Sequence, residues 1–328
     1  MSTIYEALSD SAPQISCQCL DKRYYVLDKV GEGSFATVYR AIHKRTNFEV
    51  AIKAVSKWRC IEKERSTMKS LSHPNLCTLY ETMECAHHVF LIMEYCSGYS
   101  LFRFMQSRGG GGLPEHIART MLHQIISAVA YMHREGYVHR DLKDENIMLT
   151  ADNQVKIIDF GYSAKLETIA IGSRFQNYVG TLGFMAPEIF RNRVYNPEKV
   201  DIWSIGVVFY IMLTGSEPFE WDLSNVDELK RKVIAGRYRS PENISQEASQ
   251  LLQSMLKVSP FRRPTAQEVL DDPYFQTEEA QDNPDNIPEN SAGEMGTTED
   301  CEEKLIASTL DEECMKKMKK LFRMKKHE

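Results

Sequence analysis

The chain has 328 residues, of which 42% are hydrophobic and 26% charged, and its formal net charge is −6. This length allows about two domains with sizeable buried cores, and the negative charge argues against nucleic-acid binding driven by overall charge. The longest apolar run, Ile202 to Leu213, is shorter than the roughly 20 residues of a membrane helix and predicts a buried core helix, so no integral membrane segment is expected.

Residues 1–22 are polar and lack clear periodicity, which predicts a flexible N-terminal extension. The first 14 residues contain no basic stretch followed by an apolar run, so we expect an intracellular, cytoplasmic protein, with the nucleus as an alternative. The cysteines are then expected to be reduced. Cys17 and Cys19 are separated by one residue and no second close pair follows, which argues against a zinc site.

Residues 23–95 have a strand-rich pattern that predicts a small antiparallel sheet and one main helix. The expected strands are Tyr24–Leu27, Thr37–Ala41, Glu49–Lys53, Cys77–Glu81 and Val89–Tyr95, and the helix runs from about Cys60 to Ser70. Residues 97–275 form a larger helical part. Helical periodicity is found at Glu115–Glu135, Val200–Leu213 and Glu247–Met255. The pattern therefore predicts an α+β chain.

Two segments follow the helical part. Residues 276–300 are acidic, poor in apolar residues and contain no Lys or Arg, which predicts a disordered linker. Residues 301–328 include a basic amphipathic helix, whose apolar stripe comprises Cys314, Met315, Met318, Leu321 and Phe322. Such helices bind calmodulin, acidic membranes or a groove on their own protein, and a solvated basic tail is the simpler alternative.

A glycine-rich run lies between the first two predicted strands. It reads Gly31-Glu32-Gly33-Ser34-Phe35-Ala36-Thr37-Val38. Such small residues let backbone amides approach phosphate oxygens, although an ordinary hairpin turn is a common alternative. A dinucleotide-binding fold would require a helix after this run, whereas a strand continues here. Lys53, in Val50-Ala51-Ile52-Lys53, follows at a distance that suits phosphate binding.

The most informative stretch places a carboxylate, an ammonium group and an amide at the spacing that aligns a hydroxyl with a magnesium-bound phosphate. It reads His139-Arg140-Asp141-Leu142-Lys143-Asp144-Glu145-Asn146, and Asp159-Phe160-Gly161 follows downstream. With the glycine run and Lys53 in the required order, these motifs resemble those of eukaryotic serine/threonine protein kinases. The resemblance covers residues 24–275.

The resemblance implies a bilobal protein-kinase fold, with an N-lobe at residues 23–95 and a C-lobe at residues 97–275. It implies transfer of the γ-phosphate of ATP to protein Ser or Thr hydroxyls, with Mg²⁺ or Mn²⁺ as cofactor. Further motifs resemble the calcium/calmodulin-dependent group, near AMP-activated-kinase-related or testis-specific serine kinases. A catalytically weak scaffold or regulatory binding protein is the alternative, and the presence of Lys53, Asp141, Asn146 and Asp159 argues against it.

By the same resemblance, Lys53 binds the α and β phosphates and pairs with Glu64, whereas Glu62 is solvated surface. Asp141 receives or orients the proton of the acceptor hydroxyl, and Lys143 stabilises the transferring phosphoryl group. The metal ligands are Asn146 and Asp159. The remaining ATP-binding residues are Gly31, Glu32, Gly33, Ser34, Phe35, Ala36, Val38, Ala51, Met93, Glu94, Cys96 and Met148. For Val38, Ala51 and Met148 taken singly, ordinary core packing is the alternative.

The resemblance also implies that Lys143 indicates Ser/Thr rather than Tyr specificity. It places Thr181 in contact with Asp141, and it places Glu145 in the substrate pocket. Relatives that prefer an upstream Arg carry acids at three places, which are here Ser100, Glu145 and Ile211. A weak demand for upstream Arg is therefore expected. Arg140 often pairs with an activation-segment phosphate, but Asn177 occupies the usual acceptor position. The nearby hydroxyls are Thr168, Ser173 and Tyr178, and we expect substantial activity without their phosphorylation.

Further supporting contacts follow from the resemblance. His139 should stack with Phe160, Met68 and Leu79, and Glu188 should form a buried ion pair with Arg263. Asp201 and Trp203 should brace the catalytic loop.

Overall fold

The computed structural model describes residues 15, 17–33, 36–58, 61–109, 111–150, 154–168, 180–191, 195–219 and 225–276. These residues form two compact units. The first unit contains residues 15–58 and Tyr80–Tyr95, and the second unit contains residues 61–79 and 96–276. No helix within these ranges is both long and apolar enough to cross a membrane.

The first unit is built on a five-stranded sheet with the order β1-β2-β3-β5-β4. Its elements are α1 (Gln18–Asp21), β1 (Tyr24–Glu32), β2 (Ala36–His43), β3 (Glu49–Ser56), β4 (Leu79–Glu84, whose first residue belongs to the second unit) and β5 (His88–Glu94). The pairs β1–β2, β2–β3 and β3–β5 are antiparallel. The five predicted strands are therefore confirmed, although most are longer than predicted.

One face of this sheet carries the core of the first unit. Alternate residues of the strands, including Tyr39, Ile52 and Ile92, are buried there. Leu20 of α1 is fully buried in the same cluster. The sequence pattern did not predict α1, because four residues are too few to show helical periodicity.

The second unit is mainly helical. Its elements are α2 (Glu62–Ser70), α3 (Leu101–Ser107), α4 (Glu115–Arg134), β6 (Tyr137–Val138), β7 (Ile147–Leu149), β8 (Val155–Ile157), β9 (Ala164–Lys165), α5 (Pro187–Phe190), α6 (Pro197–Thr214), α7 (Val226–Ala235), α8 (Gln246–Met255) and α9 (Ala266–Leu270). The strands form two small antiparallel pairs, β6–β9 and β7–β8. The four predicted helices correspond to α2, α4, α6 and α8.

Helix α6 is the central helix of the second unit. It is apolar all round and buried along its length from Val200 to Leu213, as the sequence predicted. It begins where the side chain of Asn196 accepts a hydrogen bond from the N–H of Glu198, and it ends at Gly215, whose φ is 72°. Because α6 packs against α4 and β6, it can present polar side chains from below to the loop that follows β6.

Candidate active site

The candidate catalytic residues of the second unit lie on the loop between β6 and β7. Asp201 of α6 is fully buried beneath this loop. Its Oδ1 accepts a hydrogen bond from the N–H of Arg140 at 2.8 Å, and its Oδ2 accepts one from the N–H of His139 at 3.0 Å. These bonds hold Arg140 in a left-handed conformation with φ of 69°. The expected bracing by Asp201 is therefore present.

The carboxylate of Asp201 is kept charged in this buried position. Burial alone would raise its pKa, but the hydrogen bond and charge of His133, whose Nε2 lies 2.9 Å from Oδ2, oppose that effect. The charge and backbone N–H of His139 act in the same direction, and the pKa of Asp201 is lowered.

Trp203 contacts Phe219 and Arg263. Its ring is stacked on Phe219 at 5.7 Å between centroids, and the guanidinium of Arg263 lies 4.9 Å from the indole centroid. Trp203 is two residues beyond Asp201 on the same helix, so the two side chains point to different sides of α6. These contacts of Trp203 therefore support the region around Arg263, and its bracing of the catalytic loop stays a prediction.

Asp141 is the best-positioned side chain of the loop, and it is only 7% exposed. Its Oδ1 accepts hydrogen bonds from the backbone N–H of Thr181 at 3.0 Å and from the Thr181 hydroxyl at 3.2 Å. Asn146 donates from Nδ2 to the backbone carbonyl of Asp141 at 2.9 Å and to Oδ2 at 3.2 Å. The expected contact between Thr181 and Asp141 is present, and both oxygens of the carboxylate are held in place.

Lys143 lies beside this carboxylate. Its Nζ is 2.6 Å from Oε2 of Glu145. Burial opposes the charge of Lys143, but the bond to Glu145 and the negative charges of Asp141 and Asp159 outweigh it and raise the pKa. Lys143 is therefore a cation held close to two of the predicted catalytic carboxylates.

Asp159 follows β8 and adopts a left-handed conformation with φ of 60°. Its Oδ1 accepts a hydrogen bond from the N–H of Gly161 at 3.3 Å. The N–H of Ile158 donates to the carbonyl of Asn146 at 2.9 Å, which brings the backbones of the two predicted metal ligands together at the ends of β7 and β8. Arg140 and Asp159, two of the four non-glycine residues with positive φ among those described, thus lie at the candidate site.

Glu64 and Glu62 have the contrasting environments that were predicted. Glu64 is 7% exposed, whereas the side chain of Glu62 is 62% exposed and pairs with Arg65. A Cβ atom built on Gly161 would lie 3.9 Å from Oε2 of Glu64, so α2 places this carboxylate close to the backbone that follows Asp159. Only Glu64 of the two faces the candidate site within the second unit.

Two expected supporting contacts are also present. The rings of His139 and Phe160 lie 5.5 Å apart between centroids, and both side chains are almost fully buried. The guanidinium of Arg263 forms a bidentate pair with Glu188, with both N–O distances at 2.6 Å. The expectation of a buried Glu188–Arg263 ion pair is confirmed.

The first unit carries Lys53 and the glycine-rich run. Strand register pairs Lys53 with Val38 and with Leu91, and Ala51 with Met93. Because directly opposed residues point to the same face of a sheet, Val38, Ala51, Lys53 and Met93 share the face opposite the core of the first unit. The residues predicted to bind the nucleotide therefore lie on one face of the sheet, as a common binding site requires.

The described residues of the glycine-rich run lie at the paired ends of β1 and β2. Gly31 pairs with Val38, and the N–H of Gly33 donates to the carbonyl of Ala36 at 2.9 Å. The strand pairing thus continues directly into β2. A strand follows the glycine-rich run, as predicted, whereas a dinucleotide-binding fold would have a helix there. Ser34 and Phe35 lie outside the described residues, as do Ser173, Tyr178 and the tail from residue 277.

Three further predicted ATP-binding residues lie in or next to strands. Glu94 is the last residue of β5 in the first unit, and Cys96 begins the next segment in the second unit. Met148 of β7 is half-buried and forms a β-bridge with Ser100.

Thr168, one of the hydroxyl residues considered for phosphorylation, ends a short 3₁₀ helix, Leu166–Thr168.

The donor set of the second unit suits a magnesium ion. Mg²⁺ prefers hard oxygen ligands and usually takes only one or two protein carboxylates in addition to phosphates and water. Asp159 provides one carboxylate. Because Nδ2 of Asn146 is bonded to Asp141, its amide oxygen points away from that carboxylate and is the atom suited to a cation. The residues therefore fit the metal that the sequence predicts.

Asp144 is a titratable residue that the sequence analysis did not select. It is 6% exposed. Burial and the negative charge of Glu145 raise its pKa to about 6, and Glu217 adds to the effect. The sequence motif does not predict this raised pKa, because the pKa depends on the burial of Asp144 in the folded chain.

Comparison with known proteins agrees with this geometry. The family description "Protein kinase domain" matches residues 24–275. Sperm motility kinase 3A of Mus musculus is 37% identical over 273 residues, which cover 82% of this chain and 53% of the relative. Sperm motility kinase 2B of Mus musculus is 37% identical over 256 residues, covering 77% and 51%. The probable serine/threonine-protein kinase MARK-A of Dictyostelium discoideum is 38% identical over 260 residues, covering 77% and 24%. The chain thus spans about half the length, or less, of these relatives.

Proposed function

The chain belongs to the protein kinase family, and on that basis we propose that it is an ATP-dependent serine/threonine kinase acting on proteins. The observation that carries the proposal is the carboxylate of Asp141, fixed by hydrogen bonds from Thr181 and Asn146. Lys143 stands beside it as a cation. This arrangement is what phosphoryl transfer to a hydroxyl requires, because catalysis of that reaction is mostly positioning and charge stabilisation.

The hydrogen bonds of Asp141 indicate which oxygen receives the substrate. Each carboxylate oxygen has about two lone-pair sites, and Oδ1 already accepts two bonds from Thr181. Oδ2 accepts one bond from Asn146 and retains capacity for another. The acceptor hydroxyl therefore donates to Oδ2, which orients its oxygen for attack and takes up its proton.

Lys143 offsets the negative charge that spreads over the transferring phosphoryl group. Its raised pKa means that the ammonium group stays charged at neutral pH. In the second unit, Asn146 and Asp159 are the residues that would hold the metal of magnesium-ATP, the substrate that would supply the phosphoryl group. In the first unit, Lys53 is the residue that would bind its phosphates.

A transfer assay tests this proposal. The purified chain is incubated with magnesium, radiolabelled ATP and a peptide library that contains Ser, Thr or Tyr acceptors. We expect label on Ser and Thr peptides and none above background for Asp159→Ala, which lacks a metal ligand. Asp227→Asn, at a side chain that is 85% exposed, is the matched control and should retain activity. Absence of transfer by the wild type, or full activity of Asp159→Ala, would contradict the assignment and favour a scaffold.

Placement in the calcium/calmodulin-dependent group leads to a proposal for the tail. Residues 301–328 contain the predicted basic amphipathic helix, and we propose that it binds calmodulin or the kinase domain itself. A flexible linker of about 25 residues spans roughly 25–30 Å, so the predicted disordered linker, residues 276–300, would be long enough for the tail to reach back. Removal of residues 301–328 should raise basal activity. A peptide of residues 310–326 should bind calcium-loaded calmodulin, and no binding together with unchanged activity would favour a solvated tail.

A further inference from the structure

A cavity of about 460 Å³ lies in the second unit, and none of the predicted catalytic, ATP-binding or metal-binding residues lines it. One wall is the end of α5, with Arg191. The other wall is the segment that follows α8, with Lys257, Phe261 and Arg262. Concave surfaces of this size are typical of binding sites. The chemistry of the catalytic loop makes no use of this cavity.

The cavity has an unbalanced positive charge. Among its described lining residues the only acid is Glu188, and both oxygens of that carboxylate accept hydrogen bonds from the guanidinium of Arg263 at 2.6 Å. The side chains of Arg191, Lys257 and Arg262 are exposed, and none of them forms an ion pair with a residue that the structure describes. Three cations therefore remain for a ligand that carries negative charges.

Phe261 places an apolar surface beside these charges. Its side chain is 95% exposed, whereas phenylalanine is usually among the buried residues of a folded chain. An aromatic side chain next to Arg is typical of the residues that dominate binding at protein interfaces. A ligand that carries only carboxylates would leave Phe261 in water. A polypeptide segment with carboxylates and an apolar side chain would cover both features.

The walls of the cavity are held in place by the buried ion pair behind them. Besides pairing with Glu188, Arg263 donates from Nε to the backbone carbonyl of Lys257 at 2.7 Å. The guanidinium of Arg191 donates to the carbonyl of Ile234 of α7 at 3.2 Å. Because these walls are already ordered, a ligand would lose little free energy in ordering them.

Helix α5 separates this cavity from the catalytic loop. Glu188 and Arg191 are three residues apart, so they lie on one face of the helical turn. Ile189 instead lines the depression that contains Asp141 and Thr181. A polypeptide bound in the cavity would therefore leave the catalytic residues uncovered while being held in the same unit, which raises the effective concentration of any acceptor that it carries.

We propose that this cavity is a docking site for an acidic segment of a protein substrate. Carboxylates of the segment pair with Arg191, Lys257 and Arg262, and an apolar side chain of the segment packs on Phe261. The substrate role rests on the kinase activity proposed above. Nucleic acid fits less well, because its binding depends on many phosphate contacts along a basic surface, whereas this chain has a net charge of −6.

Fluorescence anisotropy tests the docking without catalysis. The probe is a short labelled peptide of Asp and Glu with one central Phe, mixed with the whole chain in the absence of ATP and metal. We expect saturable binding that weakens as NaCl is raised from about 50 to 500 mM, because salt screens exposed charges. A peptide with a central Ser should bind several-fold more weakly. No binding of the probe, or equal binding of the two peptides, would overturn the proposal.

Variants show whether the cavity is the binding site. Lys257→Gln combined with Arg262→Gln should weaken binding about tenfold, and Phe261→Ser should weaken it several-fold. Lys69→Gln combined with Arg108→Gln is the matched control, since it removes the same charge from exposed side chains outside the cavity. Equal binding by the cavity and control variants would place the peptide elsewhere, for example on the basic tail, and would refute the proposal. Equally effective displacement by polyuridylate RNA would also refute it.

A transfer assay tests the substrate role. Two peptides share one Ser acceptor segment, and one of them also carries the acidic segment through a flexible Gly/Ser spacer. The extended peptide should have a KM about tenfold lower at the same kcat, and Lys257→Gln with Arg262→Gln should remove this advantage. Equal KM values for the wild type would overturn the substrate role. Absence of any transfer would contradict the kinase assignment and the substrate role with it, whereas the anisotropy experiment decides separately whether the cavity binds acidic segments.

Discussion

Thr181 donates two hydrogen bonds to a single oxygen of Asp141, from its backbone N–H at 3.0 Å and from its hydroxyl at 3.2 Å. The backbone bond is available to any residue at this position, whereas the second needs a hydroxyl. Together they fill the lone pairs of Oδ1 and leave Oδ2 for the acceptor hydroxyl. The segment that carries Thr181 therefore completes the catalytic loop.

Thr181→Val should reduce kcat by about tenfold to a hundredfold, because a hydrogen bond to a charged group contributes about 1.5–3 kcal/mol. The KM for ATP should change little, since the lost bond orients the acceptor side of the site. Thr181→Ser keeps the hydroxyl and should retain most of the activity. Steady-state kinetics with one Ser peptide measures all three proteins. Equal activity of the Val and Ser variants would show that the hydroxyl bond is not used.

Gly180→Ala should impair both stability and activity. Gly180 has φ of 111°, and a Cβ there would lie 3.1 Å from the carbonyl oxygen of Arg140 and 3.6 Å from Oδ1 of Asp141. Gly109 is a matched control, because its φ is 72° and a Cβ would meet nothing within 4 Å. Gly109→Ala should therefore lose only about 1 kcal/mol through backbone strain and keep its kcat. Urea unfolding and kinetics compare the two, and equal effects would show that the close contact is unimportant.

The sequence pattern was sufficient for the five strands of the first unit and for the main helices, because these follow from periodicity. The contacts of the catalytic loop were predicted from the resemblance to protein kinases. It did not yield α7, although Asn225 caps this helix and Asp227 and Glu228 lie in its first turn. Those capping signals were available in the sequence. The contact of Trp203 with Phe219 could not be predicted from the sequence pattern. Trp203 lies on a helix that is apolar all round, and such a pattern does not show which neighbour each side chain faces.

The elevated pKa of Asp144 predicts a pH-dependent stability. The folded-state pKa of about 6 is above the ordinary value of 3.8, so this group contributes stability below pH 3.8 that is lost as the pH rises through 6. The buried charge then destabilises the fold by about 3 kcal/mol. Asp144→Asn should have a higher Tm than the wild type at pH 7.5, and the difference should disappear toward pH 4. The exposed Asp227→Asn should show no such trend, and a constant difference for Asp144→Asn would contradict the argument.

Arg263→Met should destabilise the second unit strongly. The variant leaves the carboxylate of Glu188 buried without its bidentate partner, and breaking a buried pair in this way costs about 3–5 kcal/mol. The pair Arg239–Glu242 is a control, because its side chains are 80% and 71% exposed. Arg239→Met should leave the denaturation midpoint unchanged, since exposed pairs contribute little. Similar midpoints for the two variants would refute a structural role for the buried pair.

The last prediction concerns substrate choice. Related kinases that prefer an upstream Arg carry acidic residues at three places. This chain has Ser100, Glu145 and Ile211 at those places. Ile211 is buried in α6, and the carboxylate of Glu145 is paired with Lys143 at 2.6 Å. A peptide library should therefore show only a weak preference for Arg before the acceptor.

Ser100 allows this prediction to be tested by a gain of preference. Its side chain caps α3 by accepting a hydrogen bond from the N–H of Arg103 at 3.3 Å. Aspartate caps helices about as well as serine, so Ser100→Asp should fold normally while adding a carboxylate at this place. We expect the selectivity for upstream Arg to rise roughly fivefold or more, as for an exposed charge pair that contributes about 1 kcal/mol. Ser100→Asn is the uncharged control. A dominant Arg requirement in the wild type, or no difference between the Asp and Asn variants, would show that Arg is not read at this place.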